Sequence, residues 1–236
     1  YFQIGIAYLN LKQYEKAVNP LKKATKLDHS FKEAYYALGN TYNHLKQYQL
    51  AIESLNQTIK IDDQHSLAYL ALGIANTNLK QYDLAIPQLA KAINLNPNLL
   101  KTYYPMGLSF MKTGQFEKAA VSLDKVKTDD PNYANAQGHL GKIYSNSKQY
   151  PKAILALKKS IQARPGHTES YIKLGAIYTT LGKNSQSIKY LQKATKSDPK
   201  NPIAHHSLGL VYGVVGRYLD AIDEYNKAIK LKPNSS

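Results

Sequence analysis

Hydrophobic and small residues recur along the chain in blocks of 34. With Gly5, Gly39, Gly73, Gly107, Gly141, Gly175 and Gly209 as origins, the position four before holds Tyr1, Tyr35, Tyr69, Tyr103, Gln137, Tyr171 or His205. Three after each glycine stands Tyr8, Tyr42, Asn76, Phe110, Tyr144, Tyr178 or Tyr212. Offsets −4, −1, 0 and +3 follow the helical period, so they predict one buried face of a first helix. Ala17, Ala51, Ala85, Ala119, Ala153, Ser187 and Ala221 follow at +12, and Leu21, Leu55, Leu89, Leu123, Leu157, Leu191 and Tyr225 at +16. These predict the inward face of a second helix.

The breaks are as regular as the helices. Lys-Gln-Tyr at 12–14, 46–48, 80–82 and 148–150, and glycine at 114, 182 and 216, mark the turn inside each block. Pro97, Pro131, Pro165, Pro199 and Pro233 stop the second helix. A mid-helix glycine costs about 0.5–1 kcal/mol relative to alanine, so its recurrence predicts close approach of the second helix, with the +12 alanine opposite. Asp62-Asp63 and Asp129-Asp130 are expected to form turns and cap the next helix rather than act as paired catalytic carboxylates. Pro105 falls inside a first helix and predicts a local kink; Pro20 and Pro87 fall inside second helices.

The spacing Tyr-x2-Leu-Gly-x2-Tyr, then Ala, Leu, Ala and Pro, resembles the tetratricopeptide repeat over the whole chain. The blocks are 1–31, which lacks its first residues, then 32–65, 66–99, 100–133, 134–167, 168–201 and 202–235. The resemblance implies an all-α fold: a right-handed α–α superhelical solenoid of seven tandem helical hairpins in one array. It also implies a concave groove lined by the first helices, and a protein-binding scaffold in place of an enzyme.

On each first helix the face opposite the buried one carries offsets −6, −3, −2, +1, +4 and +5. The first four blocks place an apolar, partly aromatic strip there: Phe2, Tyr36, Leu70 and Tyr104 at −3, and Ile6, Asn40, Ile74 and Leu108 at +1. Tyr36 and Tyr104 are expected to anchor a partner, the alternative being contact with the neighbouring first helix. Asn40 and Asn43 offer amides to an extended peptide. A basic part follows with Lys101, His139, Lys142 and Lys173.

Charge sharpens the expectation. The net charge of +15 is concentrated in residues 134–201, where twelve Lys and Arg face two acids. An acidic protein or peptide is the expected partner. The capture of acidic chaperone C-termini, known in this family, needs Lys at −3, Asn at +1, Asn at −2 in the next repeat, and Lys at −6 and Arg at −2 in the third. The chain offers Tyr36, Asn40, Ala71, Lys101 and Pro105 there, so only Asn40 and Lys101 fit.

Other classes are weaker. Cysteine is absent, which removes disulfides, thiolate zinc sites and cysteine nucleophiles. Gly175 and Gly182-Lys183 have the wrong spacing for a phosphate loop. His205 and His206 are adjacent and diverge on a helix, so no metal and no cofactor are expected. There is no apolar run of membrane-spanning length. RNA or another nucleic acid is the alternative partner for the basic surface, disfavoured by only two arginines, Arg164 and Arg217. Homo-oligomers through apolar end repeats are a third expectation.

Overall fold

The helical period sets helices where it predicts them. The computed structural model describes residues 1–232. Its hairpins are α1 (Phe2–Asn10) with α2 (Tyr14–Leu27), α3 (Lys32–His44) with α4 (Tyr48–Ile61), and α5 (Ser66–Asn78) with α6 (Tyr82–Leu95). They continue as α7 (Tyr103–Lys112) with α8 (Phe116–Asp124), α9 (Tyr133–Asn146) with α10 (Tyr150–Ala163), α11 (Thr168–Thr180) with α12 (Asn184–Ser197), and α13 (Pro202–Val214) with α14 (Tyr218–Leu231). No strand occurs among the described residues. Pro233, read as the last helix stop, lies outside them.

Inside each hairpin the glycine meets the second helix, but through a different residue from the one expected. A Cβ on Gly39 would stand 2.6 Å from Leu55 Cγ, and one on Gly209 2.8 Å from the Tyr225 ring. The +16 side chain therefore fills the space above the glycine, while the +12 alanine contributes its carbonyl, 3.2 Å away at Ala51. Leu21, Leu55, Leu89, Leu123 and Leu157 are wholly buried by this contact.

The hairpin turns share one conformation. At +7 the backbone is left-handed in Lys12, Lys46, Lys80 and Lys148 (φ 57° to 62°) and in Gly114, Gly182 and Gly216 (φ 69° to 79°). The following N–H reaches back to the carbonyl of the +3 residue, as in Gln13 to Tyr8 (2.9 Å) and Lys183 to Tyr178 (2.8 Å). This pattern ties off the last carbonyls of the first helix.

Between hairpins, Asp28, Asp62, Asn96, Asp130 and Asp198 each accept from the backbone N–H two residues on. They form turns, as expected, but do not cap the next helix. The side-chain caps are His65, accepting from Ala68 N at 3.1 Å, and Asn201.

The fourth hairpin departs from the others. A single 3-10 turn at Leu100–Thr102 precedes α7, which restarts at Tyr103. Pro105 thereby falls in the first α-helical turn, where its missing N–H has no acceptor to lose. The expected kink takes the form of this change of helix type. Helix α8 ends at Asp124, several residues before Pro131. Lys127 and Asp129 stand where the third hairpin has Ile93 and Leu95, so between Asp124 and Pro131 only Val126 is an apolar side chain that is buried.

The chain divides into two compact units, Tyr1–Lys125 and Val126–Ser236. In the first, α1 packs on α3, α3 on α5 and α5 on α7; in the second, α9 packs on α11 and α11 on α13. Second helices of neighbouring hairpins make no comparable contact within either unit. Each unit is therefore closed up on its first-helix side and splayed on the other.

Candidate functional site

The first-helix face of unit 1 is less open than its helical pattern implies. Phe2 packs on Phe31 with ring centroids 4.7 Å apart, and Tyr36 on His65 at 4.9 Å. Leu70 is 7% exposed and sits in a core cluster that also takes Leu99. Each pair joins offset −3 of one block to the residue just before or at the start of the next first helix. Tyr36 is half-buried, and burial pushes its phenol above 10.0. The contact with the neighbouring hairpin that the sequence allowed for Tyr36 is made. Tyr104 is half-buried and also engaged.

Around these residues the face keeps accessible groups. Asn40, Ile74 and Leu108 are half-buried, and Lys101, on the 3-10 turn, is exposed. Asn43 is part of the stack: its Nδ2 donates to Ala71 O at 3.0 Å, tying α3 to α5, while Oδ1 has no partner. Thr77 and Ser109 hydroxyls, 3.0 Å apart, tie α5 to α7 in the same way.

Unit 2 closes the corresponding place with polar groups. Its −3 residue in α9 is Gly138, and a Cβ there would stand 3.0 Å from His167 Cε1. Ser160 Oγ donates to Ala134 O (2.7 Å) and Ser170 Oγ donates to Ser160 Oγ (2.9 Å). Each hydroxyl has one proton, so His167 Nδ1, 2.7 Å from Ser170 Oγ, must be the donor of that contact. Burial is the main cause that holds the His167 imidazolium below 6.5, with the Arg164 charge adding to it.

The basic residues of this face differ in availability. Lys173 pairs with Glu169 at 3.2 Å. Burial pushes the Glu169 carboxyl up, but the charge and hydrogen bond of Lys173, with His139 and His167, pull it lower still. Lys142 is exposed and makes no ion pair among the described residues. His139 is half-buried and has a partner.

The second-helix lysines are not simply solvated. Lys23 lies over the Tyr1 ring at 5.2 Å, Lys91 over Tyr69 at 6.0 Å and Lys125 over Tyr103 at 5.0 Å, all linking +18 to −4. Lys118 over Phe110 (5.7 Å) and Lys152 over Tyr144 (5.6 Å) link +11 to +3. Part of the positive charge is thus held on the chain's own aromatic faces. No group of three or more His, Asp or Glu able to hold a metal occurs among the described residues. None of their helices is long and apolar enough to cross a membrane.

Sequence reasoning missed Phe31, His65, Leu99 and His167, which cover the −3 positions. Their signal was present: a bulky residue recurs eight before the glycine.

Profiles described as TPR repeat match residues 5–45 and 175–213, and two profiles described as tetratricopeptide repeat match 32–65, 67–99 and 203–235, and 104–168. The chain belongs to the tetratricopeptide repeat family. No curated protein sequence matches it. Among solved structures, this tetratricopeptide repeat chain is similar to MamA, at 26% identity over 69% of this chain and 95% of that one, with a TM-score of 0.63. It is similar to YrrB, a TPR protein with an unusual peptide-binding site, at 18% identity over 78% and 95%, TM-score 0.66. It also resembles the C-terminal part of a TPR repeat-containing protein from Cytophaga hutchinsonii at 18% identity, covering 100% and 97%, TM-score 0.77.

Proposed function

We propose that this chain is a protein-interaction scaffold that holds a segment of a partner along its first-helix faces. The observation that supports the reading most is the survival of Asn40, Ile74, Leu108 and Lys101 as accessible groups on a face whose neighbours are packed away. Amide and apolar groups in such a row suit the alternating backbone and side-chain chemistry of an extended peptide. YrrB carries a peptide-binding site on the same fold.

An acidic partner is favoured by unit 2. Residues 134–201 carry twelve cations against two acids, and Lys142 on the first-helix face has no carboxylate partner among the described residues. Nucleic acid is the weaker reading, because several second-helix lysines are already seated on tyrosine and phenylalanine rings.

The reading is tested with partners captured at low and high salt, with and without nuclease treatment. Asn40→Ala with Lys101→Ala should weaken that capture about tenfold, the effect of losing roughly 1–1.5 kcal/mol of polar contact, while circular dichroism stays that of the parent. Unchanged capture refutes the first-helix face as the site. Recovery of nucleic acid alone, released by salt, refutes the scaffold reading.

A further inference from the structure

The side of unit 1 formed by second helices contains a cavity of about 420 Å³ that repeat periodicity does not explain. Ile93 of α6 and Val121 of α8 form its walls, and Tyr103, Met106 and Phe110 of α7 its floor. Its cause is legible by comparison with the sixth hairpin. There the matching residues are Ile161, Tyr171 and Tyr178, and the space between them holds Tyr190. Tyr190 stacks on Tyr178 with centroids 5.4 Å apart and planes 8° from parallel, and lies 6.4 Å from Tyr171. At the position of Tyr190 the fourth hairpin has Ser122. The sixth hairpin alone carries an aromatic ring at this position, and in the fourth the space it would occupy is open.

The mouth of the cavity is charged. Lys125 lies 5.0 Å above the Tyr103 ring, and Lys118 lies 5.7 Å above Phe110 and donates to Gln115 Oε1 at 3.0 Å. Neither ammonium has a carboxylate partner among the described residues, and they outnumber the one acid at the rim, Glu117. A ring entering between them would stack on Phe110 as Tyr190 stacks on Tyr178, and an anion beside that ring would meet both lysines.

We infer that this cavity docks an aromatic side chain of a partner protein that has carboxylates next to it in sequence. The site is separate from the first-helix face, and a partner spanning both would be held on two sides of the same hairpin. An aromatic anchor in an apolar pocket with a charged rim is the arrangement that dominates binding at protein interfaces.

The chain contains only two methionines, Met106 and Met111, which makes the test specific. Met106 lines the cavity, whereas Met111 belongs to the opposite, first-helix face by its register. The protein is labelled with 13C at the methionine methyls and titrated with the end-blocked peptide Asp-Glu-Phe-Glu-Asp. The Met106 signal should move to saturation, displaced by the ring current of the bound phenylalanine, and Met111 should stay. A response of Met111 alone would overturn this site while supporting the first-helix face. The same peptide with alanine in place of phenylalanine should leave Met106 unmoved. Ser122→Tyr, the residue the sixth hairpin uses, should abolish the shift, with thermal unfolding recorded to show that the hairpin persists. Lys118→Gln with Lys125→Gln, both on exposed residues, should weaken the peptide roughly threefold per lysine. An unmoved Met106, an equal response to the alanine peptide, or unchanged affinity in the double lysine variant overturns the proposal. Free 3-phenylpropionate binding as tightly as the peptide would replace the partner chain with a small aromatic acid and overturn it as well.

Discussion

One junction of unit 2, between α9 and α11, solves with opposite chemistry the packing problem that unit 1 solves with apolar groups. Where a first helix meets the start of the next, unit 1 uses rings and aliphatic groups: Phe2 on Phe31, Tyr36 on His65, Leu70 beside Leu99. Unit 2 removes the side chain at Gly138 and threads a hydrogen-bonded chain through the gap, from His167 through Ser170 and Ser160 to Ala134 O. The backbone register is the same in both. Glycine against the +16 residue sets how helices approach, and the choice of seal is left to positions the register does not constrain. That freedom is what lets one repeat present an amide-rich, weakly charged face in one unit and a basic one in the other.

The comparison breaks most sharply if the seals are exchanged. Gly138→Tyr places the unit 1 solution in unit 2, where even a Cβ presses on His167. It should cost about 2–3 kcal/mol by overpacking and by stranding buried hydroxyls, read as lost hydrogen-exchange protection in α9 and α11. A cost near zero would mean the polar chain is incidental. Tyr36→Ala removes the ring from His65 and should destabilise unit 1 by about 1–2 kcal/mol, with α3 and α5 exchanging faster and unit 2 unaffected. Lys46→Gly and Lys148→Gly act on the shared left-handed turn, not on the seal. Each should stabilise its own hairpin by roughly 0.5–1 kcal/mol in chemical denaturation, because glycine adopts that conformation without steric cost.

The smallest effects separate the units by pH. Burial holds His167 below 6.5, so the unfolded chain takes up that proton first. Its contribution to unit 2 is complete above about pH 6.5 and declines as the pH falls from there. Burial holds Tyr36 above 10.0, so the unfolded chain loses that proton first. Its contribution to unit 1 is complete below about pH 10 and declines as the pH rises past it. Exchange protection followed unit by unit across pH should show an acid-side loss in one and an alkaline-side loss in the other; coincident profiles would contradict the assignment of the two seals.

The helices, the turns and the glycine contact were legible in the sequence because they repeat at 34 residues, a period that local physics imposes. The identity of the glycine's partner was not: alanine at +12 is small enough to invite the assignment, but the leucine at +16 is what projects over the glycine. The residues of the seals recur eight before the glycine, but which side chain each of them covers was hidden for a different reason. Tyr36 and His65, or Gly138 and His167, are 29 residues apart, an interval that the repeat length does not display. It arises from one helix meeting the start of the next. The face around Tyr36 therefore read as free when half of it was covered. The cavity at Ser122 was invisible because a serine is unremarkable by itself; it matters only beside Ile93, Tyr103 and Phe110, which come from two other helices.

Among the described residues of each unit, the packing contacts of substance join helices no more than two places apart along the chain. Little loop closure is therefore needed before a contact forms, and folding can begin at any hairpin and spread to its neighbours without waiting for distant segments to find each other. The same locality governs mechanical loading. Within either unit a pull on the two ends would meet no clamp among the described residues that ties remote parts together, and the unit would yield by peeling hairpins in succession, each release returning a similar length of slack.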